Sequence, residues 1–306
     1  MTETPPGDPG ALLDRVPSLA GTPRRVQPLD GGLTNRNYKV STPAGTFVAR
    51  VFSAGTEVLA IDRDNEHHNT VAAAAAGAGP PVIEYSPQAG VLVIGYLAGR
   101  TLTDADLAQP GVIYRVAQAC RRLHGAQPFR NEFNMFAIQR GYLDVVRSRG
   151  LRIPAGYTAL LPRFEEARRA LAARPARRVP CHNDLLAGNL IDDGERAWII
   201  DYEYSGNNDP CFELGNLASE CRMTEAGLAE LIGAYYGRPR RSKIARARLF
   251  GLVARYGWTL WGAIQAGTSP LEVDFWSWAM ERYEAAAAGF TGPGFGALLA
   301  EVQRDD

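Results

Sequence analysis

The chemistry of this chain is concentrated between Cys181 and Asp209, in the stretch CHNDLLAGNLIDDGERAWIIDYEYSGNND. His182, Asp184 and Asn189 stand in an H-x-D-x-x-x-x-N pattern, and Asp201 follows the apolar run Trp198-Ile199-Ile200. Phosphoryl transfer to a hydroxyl asks for such a set. Its transition state spreads negative charge over the transferred group, so the protein contributes mainly positioning and electrostatics. A carboxylate must accept the hydroxyl proton of the acceptor, and Asp184 is the candidate. Magnesium prefers oxygen ligands. Asn189 and Asp201, with help from Glu203, offer them. His182 is expected to brace the loop rather than to do chemistry. H-x-D alone is a weak signal, and the following asparagine and the aspartate after an apolar strand give it weight.

These residues need a frame. Asp192-Asp193-Gly194 reads as a hairpin turn between a short strand at 189–191 and a second at 197–200. Upstream, VQPLDGGLTNRNYKV reads as two strands joined by the small, polar segment Asp30 to Asn35. Glycines there let the backbone approach an anion, although the same segment also suits an ordinary hairpin turn. TFVARVF, Thr46 to Phe52, should be a strand. Arg50 lies within it, and a basic residue in an apolar strand needs an anionic partner. Ile61 to Ala76 is alanine-rich and helical, and Pro81 to Tyr96 should supply two more strands. From Thr103 onward the pattern turns helical, with helices over 112–124 and 157–173.

Downstream of Asp201, Tyr204 is followed by a helix carrying Glu220, and YGWTLWGAIQA sets Trp258 and Trp261 on one helix face. Trp276, Trp278 and Tyr283 lie on the last long helix. A quaternary ammonium ion cannot donate N–H hydrogen bonds and is held by aromatic faces and carboxylates, each cation–π contact contributing about 0.5–2 kcal/mol. Tyr204, Trp258, Trp261 and Tyr283, with Glu220 and Asp184 for charge, could form such a cage. Tryptophans at this spacing fit a core stripe equally well.

HND followed by IDYEYSGNNDP resembles the choline and ethanolamine kinases, within the aminoglycoside-phosphotransferase superfamily, whose members have a protein-kinase-like fold. YGWTLWGAIQA resembles the W-G-L-W-x-x-I-Q-A segment of the same group, which selects the cage over the core stripe. The resemblance implies that Gly31, Gly32, Thr34 and Asn35 form a phosphate loop. It implies that Arg50 contacts the nucleotide phosphates, that Glu66 sets Arg50 in place, and that Tyr96 and Leu97 border the adenine at the hinge. ATP is then the donor and Mg2+ its companion ion. The acceptor is choline, ethanolamine or a related amino alcohol. Leu186 stands where many choline kinases have glutamine, and Glu213 where they more often have aspartate. Both departures are expected on the substrate side.

The expectation is therefore an α+β, two-lobed kinase-like chain, with a small antiparallel-sheet lobe over 1–97 and a larger helical lobe over 98–306. Residues 1–20 are expected to be partly disordered. The 306 residues suffice for two cores. A formal net charge of zero favours neither nucleic acid nor a membrane surface as partner, and no apolar run approaches the length of a spanning helix. With no secretion signal in MTETPPGDPG and no C-x-x-C pair among Cys120, Cys181, Cys211 and Cys221, the reading is a cytoplasmic enzyme with reduced thiols. The absence of D-F-G and A-P-E disfavours a protein kinase. Two rivals remain: a kinase for an aminoglycoside, a thiamine-like cation or an amino sugar, and a non-catalytic protein that binds choline or nucleotide.

Overall fold

The computed structural model describes residues 9–305, apart from Asp30, Ala54 and the side chain of Glu57. The start of the expected tail, residues 1–8, and Asp30 of the glycine segment lie outside the described residues. A short helix, α1 (Pro9–Leu13), precedes strands β1 (Arg25–Leu29), β2 (Asn35–Thr42) and β3 (Gly45–Phe52). Helix α2 (Arg63–Ala75) and strands β4 (Val82–Ser86) and β5 (Val91–Gly95) complete the small lobe. The five strands form one antiparallel sheet in the order β1-β2-β3-β5-β4. Val91 to Ile94 are all buried, as befits a strand inside the sheet with both faces covered.

Within the tail expected over 1–20, residues 9–20 pack onto the sheet. Leu13, Val16 and Leu19 are buried and share a core with Val40, Ala49, Val91 and Val93. Their spacing of three gives this segment an apolar face that covers the sheet. Helix α2 starts where Asp62 accepts from the backbone N–H groups of Asp64 and Asn65, each at 3.0 Å. It turns Glu66, Asn69, Thr70 and Ala73 inward.

The large lobe begins with β6 (Arg100–Thr101) and helices α3 (Pro110–His124), α4 (Met135–Ser148) and α5 (Leu161–Ala173). Short strands follow: β7 (Val179–Cys181), β8 (Leu190–Asp192), β9 (Ala197–Ile199) and β10 (Gly206–Asn208). β8 and β9 form the expected hairpin, β8 also pairs with β6, and β10 pairs with β7. Helices α6 (Pro210–Glu220), α7 (Glu225–Tyr236), α8 (Arg241–Thr268), α9 (Phe275–Thr291) and α10 (Phe295–Glu301) make up the rest. α8 is buried on nearly all sides from Ala245 to Gln265, so it forms the axis of this lobe. It packs closely on α6 because Gly215 has no side chain: a Cβ there would collide with the Ala247 carbonyl. That contact fixes Glu220, Trp258 and Trp261 relative to one another. The strand expected at 189–191 begins one residue later, at Leu190. Asn189 instead ends a 3-10 turn, Ala187–Asn189.

Candidate active site

Asp184, Asn189 and Asp201 line one cavity of about 200 Å3. The loop that carries Asp184 is pinned by its own backbone. The buried carboxylate of Glu213 on α6 accepts from the N–H of His182 at 2.9 Å and of Asn183 at 2.7 Å. Asn183 sits at φ +69°, a left-handed conformation that costs a non-glycine residue energy. Its amide holds it there by donating to the carbonyls of Cys181, Tyr204 and Gly206, each at 3.1 Å. His182 Nε2 donates to the Ile200 carbonyl at 2.8 Å, tying the loop to the strand that ends beside Asp201. Asp201 is itself left-handed, at φ +72°. Burial works to raise the Glu213 carboxyl, but His124, His182 and the backbone N–H bond outweigh it and hold the group below the usual range.

Within this frame Asn189 donates through Nδ2 to the Asp184 carbonyl at 3.0 Å, which leaves its Oδ1 for another partner. Asp201 pairs through Oδ1 with Arg50. An amide oxygen and a carboxylate side by side are hard donors, so the residues present fit a magnesium ion. Burial acts to raise the Asp201 carboxyl, but Arg50, His182 and Arg63 overcome it and keep the group ionised below its ordinary value. Asp184 moves the other way. Burial pushes it well above the usual carboxylate range, and Glu220, Glu203 and Asp201 add like-charge repulsion against the pull of Arg282. A carboxylate raised in this way is a stronger base toward a hydroxyl proton.

On the side of the glycine segment, Arg50 is buried and paired with Glu66 at 3.1 Å as well as with Asp201. Arg63 bridges Glu66 at 2.7 Å and Glu203 at 3.2 Å. Thr34 Oγ1 donates to Glu203 at 2.8 Å and Asn35 Nδ2 at 3.0 Å. Thr34 and Asn35 therefore engage Glu203, and Thr34 also lines the cavity. Burial, then the charges of Asp201 and Glu66, push Glu203 up to about 7 against Arg50 and Arg63. Gly31 and Gly32 adopt φ of +89° and +94°, which only glycine takes without strain. Gly32 lines the cavity. Tyr96 and Leu97 lie outside that lining. The Tyr96 N–H already donates to the Thr46 carbonyl at 3.2 Å, and its ring faces Lys39 Nζ at 4.1 Å.

The same cavity is further lined by Leu186, Tyr204, Glu220, Trp258, Trp261, Trp278 and Arg282. Trp258 and Trp261 are buried and line the cavity at the same time, so core and wall are one structure. Trp258 Nε1 donates to Asn216 at 3.0 Å, and Trp261 Nε1 to the Tyr204 hydroxyl at 2.8 Å. Tyr204 meets Trp258 edge-on with ring centroids 5.0 Å apart. Glu220 lines the wall paired with Arg282.

Two expectations are corrected. Tyr283 is not part of the cage: its hydroxyl donates to the Ala155 carbonyl at 2.7 Å, away from the cavity. One residue earlier on α9, the helix turns Arg282 inward instead, with Trp278 a turn before it. Glu213 does not approach the substrate side; it is fully buried beneath the catalytic loop. Leu186 does line the cavity. The residues missed were Arg282, Trp278 and Arg63. Trp278 and Arg282 are four apart, the spacing at which helix neighbours meet, and that was the one available signal.

Residues 25–250 match the phosphotransferase enzyme family. The fold superposes on a choline/ethanolamine kinase family protein from Mesorhizobium loti with a TM-score of 0.85, at 35% identity over 96% of this chain and 98% of that one. It matches choline kinase LicA from Streptococcus pneumoniae with a TM-score of 0.74, at 26% identity over 87% and 93% of the two chains. Ethanolamine kinase 2 of Rattus norvegicus is 25% identical over 295 residues, covering 85% of this chain and 74% of that protein. Both the catalytic loop and the sheet that faces it fall within the matched region, and the chain is a kinase that belongs to the phosphotransferase enzyme family and, within it, to the choline/ethanolamine kinase family.

Proposed function

We propose that the protein transfers the γ-phosphoryl group of ATP to the hydroxyl of choline or ethanolamine and releases ADP. The observation that carries this is a single cavity of about 200 Å3 in which Asp184, Asn189 and Asp201 share walls with Tyr204, Trp258 and Trp261. Asp184 takes the hydroxyl proton, the acceptor oxygen bonds to the γ-phosphorus, and the bridging oxygen leaves with ADP. Magnesium, held by Asn189 and Asp201 with Glu203 behind them, would neutralise phosphate charge when bound. Gly31 and Gly32 bring backbone N–H groups toward the phosphates, and Arg50, set by Glu66, supplies positive charge. Thr34 and Asn35 serve this loop by fixing Glu203. Leu97 ends the nucleotide-binding part of the chain in this reading, and the reaction takes place in the cytoplasm.

The aromatic lining of Tyr204, Trp258, Trp261 and Trp278 suits a small ammonium group better than a large polycation such as an aminoglycoside. A coupled ADP-release assay with Mg-ATP against choline, ethanolamine and an aminoglycoside panel tests the reading. Turnover on an amino alcohol that vanishes in Asp184→Ala is expected. Bound ATP with turnover on none of these acceptors would point to a binding protein, and turnover on aminoglycosides alone would replace the acceptor class.

A further inference from the structure

A second concavity lies among α6, α7, α8, α9 and α10 and shares no lining residue with the catalytic cavity. Its volume is about 760 Å3, within the range of about 300–1,000 Å3 common for small-molecule sites. Met223, Leu228, Ile244, Leu252, Phe295 and Leu298 supply apolar walls. Gly215 and Gly251 add no bulk where α6 meets α8: a Cβ on Gly251 would come within 3.0 Å of the Gly215 carbonyl. The result is a slot between helices with largely hydrocarbon walls.

Arg255 on α8 also lines this slot. It is partly buried and donates to the Ser219 carbonyl at 2.7 Å. Glu220 and Glu281 attract it, but each already pairs with another arginine, Glu220 with Arg282 and Glu281 with Arg222. Three guanidiniums thus share two carboxylates, and Arg255 is the one without an ion pair among the described residues. Burial, with Arg282 and Arg222 acting the same way, lowers it from its ordinary value against the pull of Glu220 and Glu281. A cation that has lost part of its hydration and has no counter-ion is stabilised by an anion entering the slot. Arg248, one heptad earlier on the same helix, is by contrast paired with Glu225 at 3.1 Å.

We propose that this slot binds a long-chain fatty carboxylate, with the carboxylate on Arg255 and the alkyl chain along Ile244, Leu252, Phe295 and Leu298. The proposal goes beyond the amino-alcohol reading of the catalytic cavity and does not depend on it. Surplus positive charge calls for an anionic head, and the apolar walls call for a tail that gains by leaving water. A small inorganic anion would leave those walls wet. An acidic helix, about 10–12 Å across with its side chains, would lie over the rim and meet the like charges of Glu225 and Glu301. A single carboxylate on an unbranched chain reaches Arg255 past them.

The test uses the full chain and isothermal titration calorimetry with acetate, octanoate and decanoate below micelle-forming concentrations, and with 1-decanol as the uncharged control. Decanoate is expected to saturate a single site and to bind about tenfold more tightly than octanoate, since each buried methylene contributes about fourfold. Acetate should show no saturable binding. Without the charge, 1-decanol should bind about tenfold more weakly than decanoate. Arg255→Gln should erase that difference. Ala297→Trp, at an exposed position on the wall, should weaken both ligands about tenfold. Thermal melts without ligand report that each variant is folded. The proposal is overturned if decanoate does not saturate, if it binds no more tightly than acetate or 1-decanol, or if its affinity is unchanged in a folded Arg255→Gln or Ala297→Trp. No arm of the test involves ATP or an amino alcohol. Binding as expected in a protein that turns over neither choline nor ethanolamine would therefore uphold the slot and count against the amino-alcohol reading alone.

Discussion

The cavity has two walls built on different terms. The catalytic wall comes from one continuous stretch, and its side chains are positioned by backbone hydrogen bonds. Glu213 receives two loop N–H groups, and Asn183 donates to three carbonyls. The acceptor wall is assembled from α6, α8, α9 and the segment after Asp201, and its side chains are positioned by one another, as in Trp261 on Tyr204 and Arg282 on Trp278. A wall fixed through the backbone tolerates little change. A wall of mutually packed side chains can be re-cut one residue at a time, so reaction type and acceptor choice can change separately.

The largest expected effect is on the catalytic wall. Asp184→Asn removes the proton acceptor and should lower kcat by about 10²–10⁴, with the KM for ATP within about twofold, as measured by ADP release. A variant with most of its kcat would remove Asp184 from the base role. Glu213→Ala comes next. It strands two buried N–H groups at a cost of about 1–3 kcal/mol each, and should lower both the urea midpoint and kcat although Glu213 never meets the substrate. Unchanged kcat in that variant would mean the loop holds its shape without the carboxylate.

On the acceptor wall, Trp261→Phe keeps an aromatic face and deletes the bond to Tyr204. It should raise the acceptor KM about fivefold, the loss of one hydrogen bond of about 1 kcal/mol, and leave kcat nearly unchanged. A fall in kcat with constant KM would mean that the two walls are not separable.

The smallest effects concern pH. With Asp184 as the proposed base, raised by burial, kcat/KM should fall as pH drops, beginning above the usual carboxylate range. Stability should show opposite contributions from two neighbours. Glu203 is raised from 4.5 to about 7, so its contribution is complete below 4.5 and is lost as pH rises through 7. Asp201 is lowered from 3.8, so its contribution is present above 3.8 and is lost as pH falls through its depressed value. Thermal melts of the wild type and Glu203→Gln from pH 4 to 8 separate the two; an unchanged pH slope in the variant would rule out the Glu203 contribution.

The same contrast explains what could be read from the chain. Asp184, Asn189 and Asp201 stand within one local pattern, so their meeting at one cavity was legible, as were the sheet strands and helices. Arg282 was not, because periodicity groups residues on a face without saying which face meets a cavity. One step of about 100° separates it from Tyr283, the expected residue. Glu213 was placed on the wrong side of the loop, since a buried acid that caps backbone N–H groups looks in sequence like a ligand contact. Thr34 and Asn35 lie in a glycine segment suited to phosphate, yet their partner Glu203 is distant in sequence. Leu13, Val16 and Leu19 fall within the stretch expected to be partly disordered, although their apolar spacing fits the sheet they cover.

The most direct measurement is 31P NMR of the products from Mg-ATP and ethanolamine or choline, with the wild type and Asp184→Asn. The account predicts a phosphate-ester resonance on the amino-alcohol oxygen that grows in step with ADP and is lost in the variant. Inorganic phosphate and ADP without ester would contradict it, because the cavity would then deliver the phosphoryl group to water and its aromatic wall would hold no acceptor.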